Sequence, residues 1–172
     1  TTNSSTPVQV KKGVTTITNA IDIEAGSDHT CIKLSDDSLY CFGWNIFNQL
    51  GFNEETNPDV KLMALSYHAT CIVKNSALNQ VVCKGSTRGV NDTFENTYSM
   101  GDGEEIVKLV SGDAHFCVLL ESKKAKCFGD NTYGQLGNGS TTDSFNDAVD
   151  VVESQGGPPL SDITDINAGS YS

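Results

Sequence analysis

Basic residues are scarce in this chain. Its 172 residues carry 11 Lys plus Arg against 22 Asp plus Glu, a formal charge of −11 at pH 7. Nucleic-acid binding rests on a cationic face that releases counterions, and no run of basic residues occurs anywhere. That argues against nucleic acid as a partner, and against an anionic membrane surface for the same reason. Long hydrophobic runs are missing too. No segment approaches the ~20 apolar residues that a spanning helix needs, so membrane insertion by helices is not expected. Position 1 is not Met, and the opening TTNSSTPVQV has no signal-like apolar core. Thr1 is therefore read as something other than a translation start, with a leader removed or a longer protein cut. Recognisable catalytic patterns are absent as well: no nucleophile elbow, no zincin helix, no phosphate-cradling glycine loop and no marked carboxylate pair. No enzyme activity and no cofactor are expected.

What is present points to β structure. The chain has 33 Ser plus Thr and 14 Asn, with 37% hydrophobic and 8% aromatic residues, a composition suited to many strands and solvated loops. One pattern recurs. It runs as IDIEAGSDHTCIKLSDDSLYCFGWNIFNQLG over 21–51 and as VKLVSGDAHFCVLLESKKAKCFGDNTYGQLG over 107–137. Both copies hold a Gly (Gly26, Gly112), a His three residues on (His29, His115) and a Cys two beyond (Cys31, Cys117). Each has a second Cys ten residues later (Cys41, Cys127) and a closing Gln-Leu-Gly. The middle copy, VKLMALSYHATCIVKNSALNQVVCKGSTRGV, is degraded: Ser66 replaces the Gly, His68 stands three before Cys71, and Cys83 comes after twelve residues. A fourth copy opens at ITDINAGSYS, just before its His-x-Cys would come. TPVQV (6–10) reads as the strand opening the first unit, with VDVV (149–152) its counterpart ahead of the fourth.

The cysteines carry the sharpest signal. Between Cys31 and Cys41 an apolar-polar alternation, a short polar cluster and a second alternation read as a β-hairpin. Folded about Asp36, it sets Cys31 opposite Cys41, Ile32 opposite Tyr40 and Leu34 opposite Ser38. Opposed antiparallel residues have Cα atoms roughly 4.5 to 5.5 Å apart, within the roughly 4.4 to 6.8 Å of a disulfide. Cys71–Cys83 folds about Ala77, with a loop enlarged by two residues, and Cys117–Cys127 folds about Ser122. Hairpin disulfides at 31–41, 71–83 and 117–127 are the preferred reading. Unpaired thiols, or zinc held by His-x-Cys and the later Cys, are the alternatives, although zinc lacks a recurring fourth ligand. Persistent disulfides imply an oxidising compartment, extracellular or at the cell surface.

The frame AGSDHTCIKL with FGWNIFNQLG, and SGDAHFCVLL with FGDNTYGQLG, resembles the repeat of the regulator of chromosome condensation family. The resemblance covers nearly the whole chain and is specific in copies one and three. It implies an all-β fold, blades of four-stranded antiparallel sheets arranged as a β-propeller. Family members usually close seven blades. Here about three blades are expected plus the start of a fourth, a single partial propeller with repeats near 6–55, 56–100, 101–148 and 149–172. The chain is expected to be a fragment, or to be completed by neighbouring copies of itself.

Several residues receive structural readings. His29, His68 and His115 are read as bonding the bend after Ala/Ser-Gly rather than as acid-base groups. Gly26, Gly112 and Gly169 are read as sites of close approach, Gly51 and Gly137 as turn residues, and Leu50 and Leu136 as plugs between blades. GDGEE (101–105) and SDD (35–37) lack the ligand ladder of a calcium loop and read as solvated loops, so no metal is expected. Sequons stand at Asn3, Asn91 and Asn138, no more than chance supplies, offering glycans as additional partners. VNDTFENTYSMGDGEE and NGSTTDSFNDAVDVVESQGGPPLSD read as long loops where a protein partner would bind. The resemblance implies an interaction or adhesion platform, since related propellers mostly act so and one secreted member is a β-lactamase inhibitor. A structural subunit of a filament, sheath or wall is the alternative. Nucleotide exchange on a small GTPase, the founding member's activity, fits an acidic, cysteine-paired chain least well.

Overall fold

The computed structural model describes residues 6–54, 59–87, 94–101 and 103–171. Three antiparallel meanders follow one another. The first holds β3 (Ala20–Ala25), β4 (His29–Leu34) and β5 (Leu39–Gly43); the second holds β6 (Val60–Leu65), β7 (Ala69–Lys74), β8 (Ala77–Gly85) and β9 (Phe94–Ser99). The third holds β10 (Ile106–Ser111), β11 (His115–Leu120), β12 (Ala125–Gly129) and β13 (Ser144–Asp150). Ahead of them lies a small hairpin of β1 (Lys11–Lys12) and β2 (Thr15–Thr16). The architecture is a partial β-propeller, with β3, β6 and β10 adjacent along its inner side.

The hairpin register agrees with the sequence pattern at both ends of the chain. Cys31 pairs with Cys41 and Ile32 with Tyr40; Cys117 pairs with Cys127. Both hairpins turn through three residues, the third in the left-handed region (Asp37 φ 59°, Lys123 φ 62°), a standard three-residue connection. The middle hairpin departs from expectation. Cys71 does oppose Cys83, but Lys74 pairs with Ala77, so the loop is only Asn75–Ser76. The additional residues form a bulge in β8 instead, where the ladder jumps from Val73↔Val81 to Lys74↔Ala77. A bulge absorbs inserted residues without moving the pairs beyond it.

All six cysteines are bridged, as 31–41, 71–83 and 117–127. Their Cα atoms lie 4.1, 4.0 and 4.1 Å apart, closer than the expected spacing. In the first bridge this follows from the pair type. The N–H and C=O of Cys41 point away from β4, to the side chain of Asn53, which accepts and donates at 2.7 Å each. Non-hydrogen-bonded pairs are the closely spaced ones.

Those two bonds also explain why the first blade has three strands rather than four. The 3-10 turn Gly51–Glu54 brings the Asn53 amide to the outer edge of β5, where a fourth strand would bond. In the other two blades the fourth strand lies inside stretches read as loops: β9 within 90–105 and β13 within 138–162. VDVV is corrected likewise, since Val149 and Asp150 belong to β13 and pair with Cys127 and Lys126. TPVQV forms no strand. It leads into the β1–β2 hairpin, with Ile17 N–H donating to Val10 O.

Strand alternation gives each inner sheet two buried faces. Ile72 and Met63 point back to Leu39, Cys31 and Cys41 of the first blade, with Leu50 and Phe52 filling the layer. Cys71, Val73, Val81 and Cys83 point forward to Ile106, Phe116 and Phe128 of the third. Tyr98 of β9 closes this second layer by stacking on Phe128, centroids 3.8 Å apart. Residues beyond β13 cover the far face of the third blade, where Leu136, Leu160, Ile163 and Ile166 share a cleft. Ile163 N–H donates to Lys123 O as Val60 N–H donates to Asp37 O, so ITDINAGSYS starts a fourth unit in position although it forms no strand.

Non-reducing peptide mapping should recover the three cross-strand links and no mixed ones. Replacing both Cys117 and Cys127 by Ser should cost about 2 to 3 kcal/mol in urea unfolding. A change within error would mean that the bridge constrains little beyond what the hairpin already does.

Candidate interaction face

The turns that close the inner strands gather at one end of the blades. They are Gly26-Ser27-Asp28, Ser66-Tyr67-His68 and Gly112-Asp113-Ala114, with Gly169-Ser170-Tyr171 in the fourth unit. Gly26, Ser66 and Gly112 each donate N–H at 2.9 Å to the residue three later, His29, Ala69 or His115. Cross-strand pairing equates the same three residues, since His29 pairs with Gly43, Ala69 with Gly85 and His115 with Gly129. His68 is therefore no counterpart of the other two histidines. It holds the place of Asp28 and Ala114, on the surface.

His29 and His115 are buried beneath their glycines. A Cβ on Gly26 would lie 2.7 Å from His29 Cε1, and one on Gly112 would lie 2.2 Å from His115 Cε1. The ring occupies the space that a side chain at the glycine would need. Where Ala69 replaces the histidine that space is open, and Ser66 fills it, its Oγ accepting Ala69 N–H at 3.1 Å. The two departures of the middle repeat are thus one compensated exchange.

The His29 ring is tied across the blade boundary. Thr70 Oγ1 donates to Gln49 O at 2.8 Å, which leaves Thr70 to accept from His29 Nε2–H at 2.9 Å. Burial pushes the pKa of His29 down from 6.5 to about 4, against the pull of Asp28 and aided by His68. The ring is neutral at pH 7. It serves as a fixed donor, unsuited to proton transfer near neutrality.

The Gln-Leu-Gly loops are clamped by side chains. Gln49 Oε1 accepts Phe47 N–H (3.0 Å) and Asn45 Oδ1 accepts Leu50 N–H (2.8 Å). In the third unit Gln135 and Asn131 repeat both bonds at 2.9 Å. Gly51 has the side chains of Asn48 and Lys84 where its Cβ would be, and Gly137 lies in the left-handed region at φ 61°. A stricter set went unread in the sequence: Gly43, Gly85 and Gly129, at φ 119°, 104° and 115°. A Cβ there would lie 2.4, 2.2 and 2.5 Å from the carbonyl oxygens of Asp28, His68 and Ala114. The signal was available, because each stands two after the second cysteine even in the degraded copy.

On the surface of this face aromatic rings adjoin. Trp44 lies 5.3 Å from Phe47 and 5.4 Å from His68, and the His68 ring is 4.4 Å from both Phe47 and Tyr67. Tyr67 and Trp44 are half-exposed, and Tyr133 and Tyr171, themselves in edge contact at 5.3 Å, are well exposed. Several carboxylates at the opposite end are engaged. Asp36 accepts from Ser38, which lowers its pKa; Asp37 pairs with Lys33, and Glu105 with Lys61. Glu104 accepts from Ser122. Among the sequons, Asn138 lies in a loop where its Oδ1 accepts from Asn131 and Ser140, while Asn3 and Asn91 fall outside the described residues.

The family profile for the Regulator of chromosome condensation (RCC1) repeat matches residues 20–49 and 106–135, the first and third copies. The chain is an RCC1-like β-propeller. An RCC1 repeat-containing protein of Dictyostelium discoideum is 25% identical over 142 residues, 67% of this chain and 29% of that protein. The chain thus spans under a third of that relative's length. Prp20p of Saccharomyces cerevisiae superposes with a TM-score of 0.60 at 16% identity, over 76% of this chain and 38% of that one. The CRINKLY ectodomain of the Arabidopsis thaliana receptor kinase ACR4 superposes at 0.51 and 18% identity, over 88% and 43%. The second unit, outside the profile match, keeps the complete four-stranded sheet and its bridge.

Gly26→Ala should lower stability by about 1 to 3 kcal/mol, the cost of overpacking, while Ser66→Ala should cost less; chemical denaturation of both measures the difference. The folded pKa of His29 lies below its ordinary value, so the stability it supports is present above pH 6.5 and lost as pH falls toward 4. The loss should run at about 1.4 kcal/mol per pH unit. Urea unfolding at pH 7, 6 and 5 should show this limb, and His29→Gln should flatten it.

Proposed function

We propose that this chain is a non-catalytic interaction module of an extracellular or cell-surface protein, presenting a rigid propeller face to a protein partner. The observation that carries the reading is the set of three cross-strand cystines that use every cysteine of the chain, since such bonds persist in oxidising compartments. An ectodomain among the structural neighbours supports the compartment. Prp20p, whose binding properties to Gsp1p and histones are recorded with its structure, supports a protein as the class of partner. The face supplies what such contacts use: half-exposed aromatics on clamped loops. Asn138 Nδ2, where a glycan would attach, makes no hydrogen bond among the described residues, which suits an added sugar.

A second reading, a structural subunit of a surface filament, sheath or wall, is favoured by β3. All six of its residues are exposed, Ile21 and Ile23 by 60% and 63%, and an unpaired apolar edge is a surface for assembly. Nucleotide exchange on a small GTPase is the least supported reading, for the cystines sit poorly with a reducing compartment.

The test uses native cells. Membrane-impermeant biotin should label the protein, alkylation without reductant should find no free thiols, and cross-linking should join it to a protein partner. Six alkylated thiols on unlabelled protein would sink the proposal. Cross-links only between copies of itself would move the assembly reading ahead.

A further inference from the structure

One cleft on the interaction face combines aromatic rings with an unpaired carboxylate. Tyr67, His68, Ser86, Asp113, Ala114 and Tyr171 line it. Main-chain bonds hold Asp113 across three successive units. Its C=O accepts Tyr67 N–H at 2.9 Å, and its N–H donates to Ser170 O at 3.4 Å. Its side chain takes no part in this. Among the described residues the Asp113 carboxylate has neither a hydrogen bond nor an ion pair, although it is only partly exposed. Five carboxylates elsewhere among the described residues have lysine partners: Asp37, Glu95, Glu105, Asp150 and Asp165. Among the described residues no lysine or arginine lines this cleft.

We propose that the cleft receives the cationic head of a lysine or arginine side chain from a basic segment of a partner protein. Ring faces are negative, and a cation within about 6 Å of a ring centroid is attracted to them; Asp113 adds a full opposite charge. A neutral sugar would also stack on the tyrosines but would leave that charge unmatched. His68 does not oppose the cation at pH 7, because burial lowers its pKa despite the nearby Asp28. The chain's charge of −11 steers a basic segment toward it. This inference rests on the interaction-module reading and names the chemistry of the partner.

Trp44 is the single tryptophan, and its ring is 5.4 Å from His68, so its fluorescence reports on the cleft. The disulfide-intact chain would be titrated with a lysine-rich octapeptide, its arginine counterpart, its Nε-acetylated counterpart and a neutral oligosaccharide. Saturable binding of the two cationic peptides is expected, at least tenfold tighter than the other two ligands. Asp113→Asn and Tyr67→Ala should each weaken it at least tenfold, while Asp36→Asn, at the opposite end of the blades, should leave it unchanged. Circular dichroism confirms that each variant folds, and Asp113→Asn carries the test if Tyr67→Ala does not. No binding, equal binding of the acetylated peptide or the sugar, or equal losses from Asp36→Asn and Asp113→Asn would overturn the proposal. If Asp113→Asn still captures the cross-linked partner from cells, the cleft is wrong while the module reading stands. If the lysine peptide binds but no protein partner is found, that reading fails alone.

Discussion

The spacing of successive blades depends on how closely their inner turns approach. The carbonyl oxygen of Ser66 lies 2.4 Å from where a Cβ on Gly26 would be, and that of Gly169 is equally close to Gly112. Nothing larger than hydrogen fits between. A side chain there would push one inner strand away from the next and open the apolar layers behind it. The buried histidines belong to the same constraint, for each ring fills the pocket under its glycine. His29 also bonds to Thr70 of the following blade and through it to the Gln49 loop, which couples turn, blade boundary and surface loop in one chain of contacts.

The disulfides work at a different level. Each staples the two strands of its blade's central hairpin. Cys31 and Cys41 face the second blade, and Cys71 and Cys83 face the third. They join the apolar layers while holding the hairpin. Propeller blades bury their faces only against one another, so a short chain gains from covalent reinforcement of each unit. The rigid frame that results supports loops pinned by Gln49, Asn45, Gln135 and Asn131, and on them the aromatic rings that give the face its chemistry.

Much of this was legible as a pattern. Cysteine spacing and period-two alternation located each central hairpin and its cross-strand pairs, because those depend on local backbone geometry. The outer strands were not legible. β9 and β13 are largely polar stretches whose pairing is decided by a neighbour; Tyr98 of β9 enters the core, but the sequence FENTYS shows no apolar alternation from which to read a strand. The insertion in the middle hairpin was visible as two additional residues, but whether they lengthen the turn or bulge the strand depends on Asn75 and Ser76 closing a tight connection. Gly43, Gly85 and Gly129 passed unnoticed since the carbonyls that crowd them come from another strand.

By itself the sequence determined which segments repeat, which cysteines oppose each other and that the surface is acidic, since composition and short-range spacing are properties of the chain. Only the tertiary structure decided that Asn53 replaces a fourth strand, that His68 stands outside while its neighbours in the pattern are buried, and that Tyr67, Asp113 and Tyr171 share a cleft. Those three residues come from three successive units, more than forty positions apart in the chain, and pattern carries no information about distance between blades. What brings them together is the packing of one sheet face upon the next.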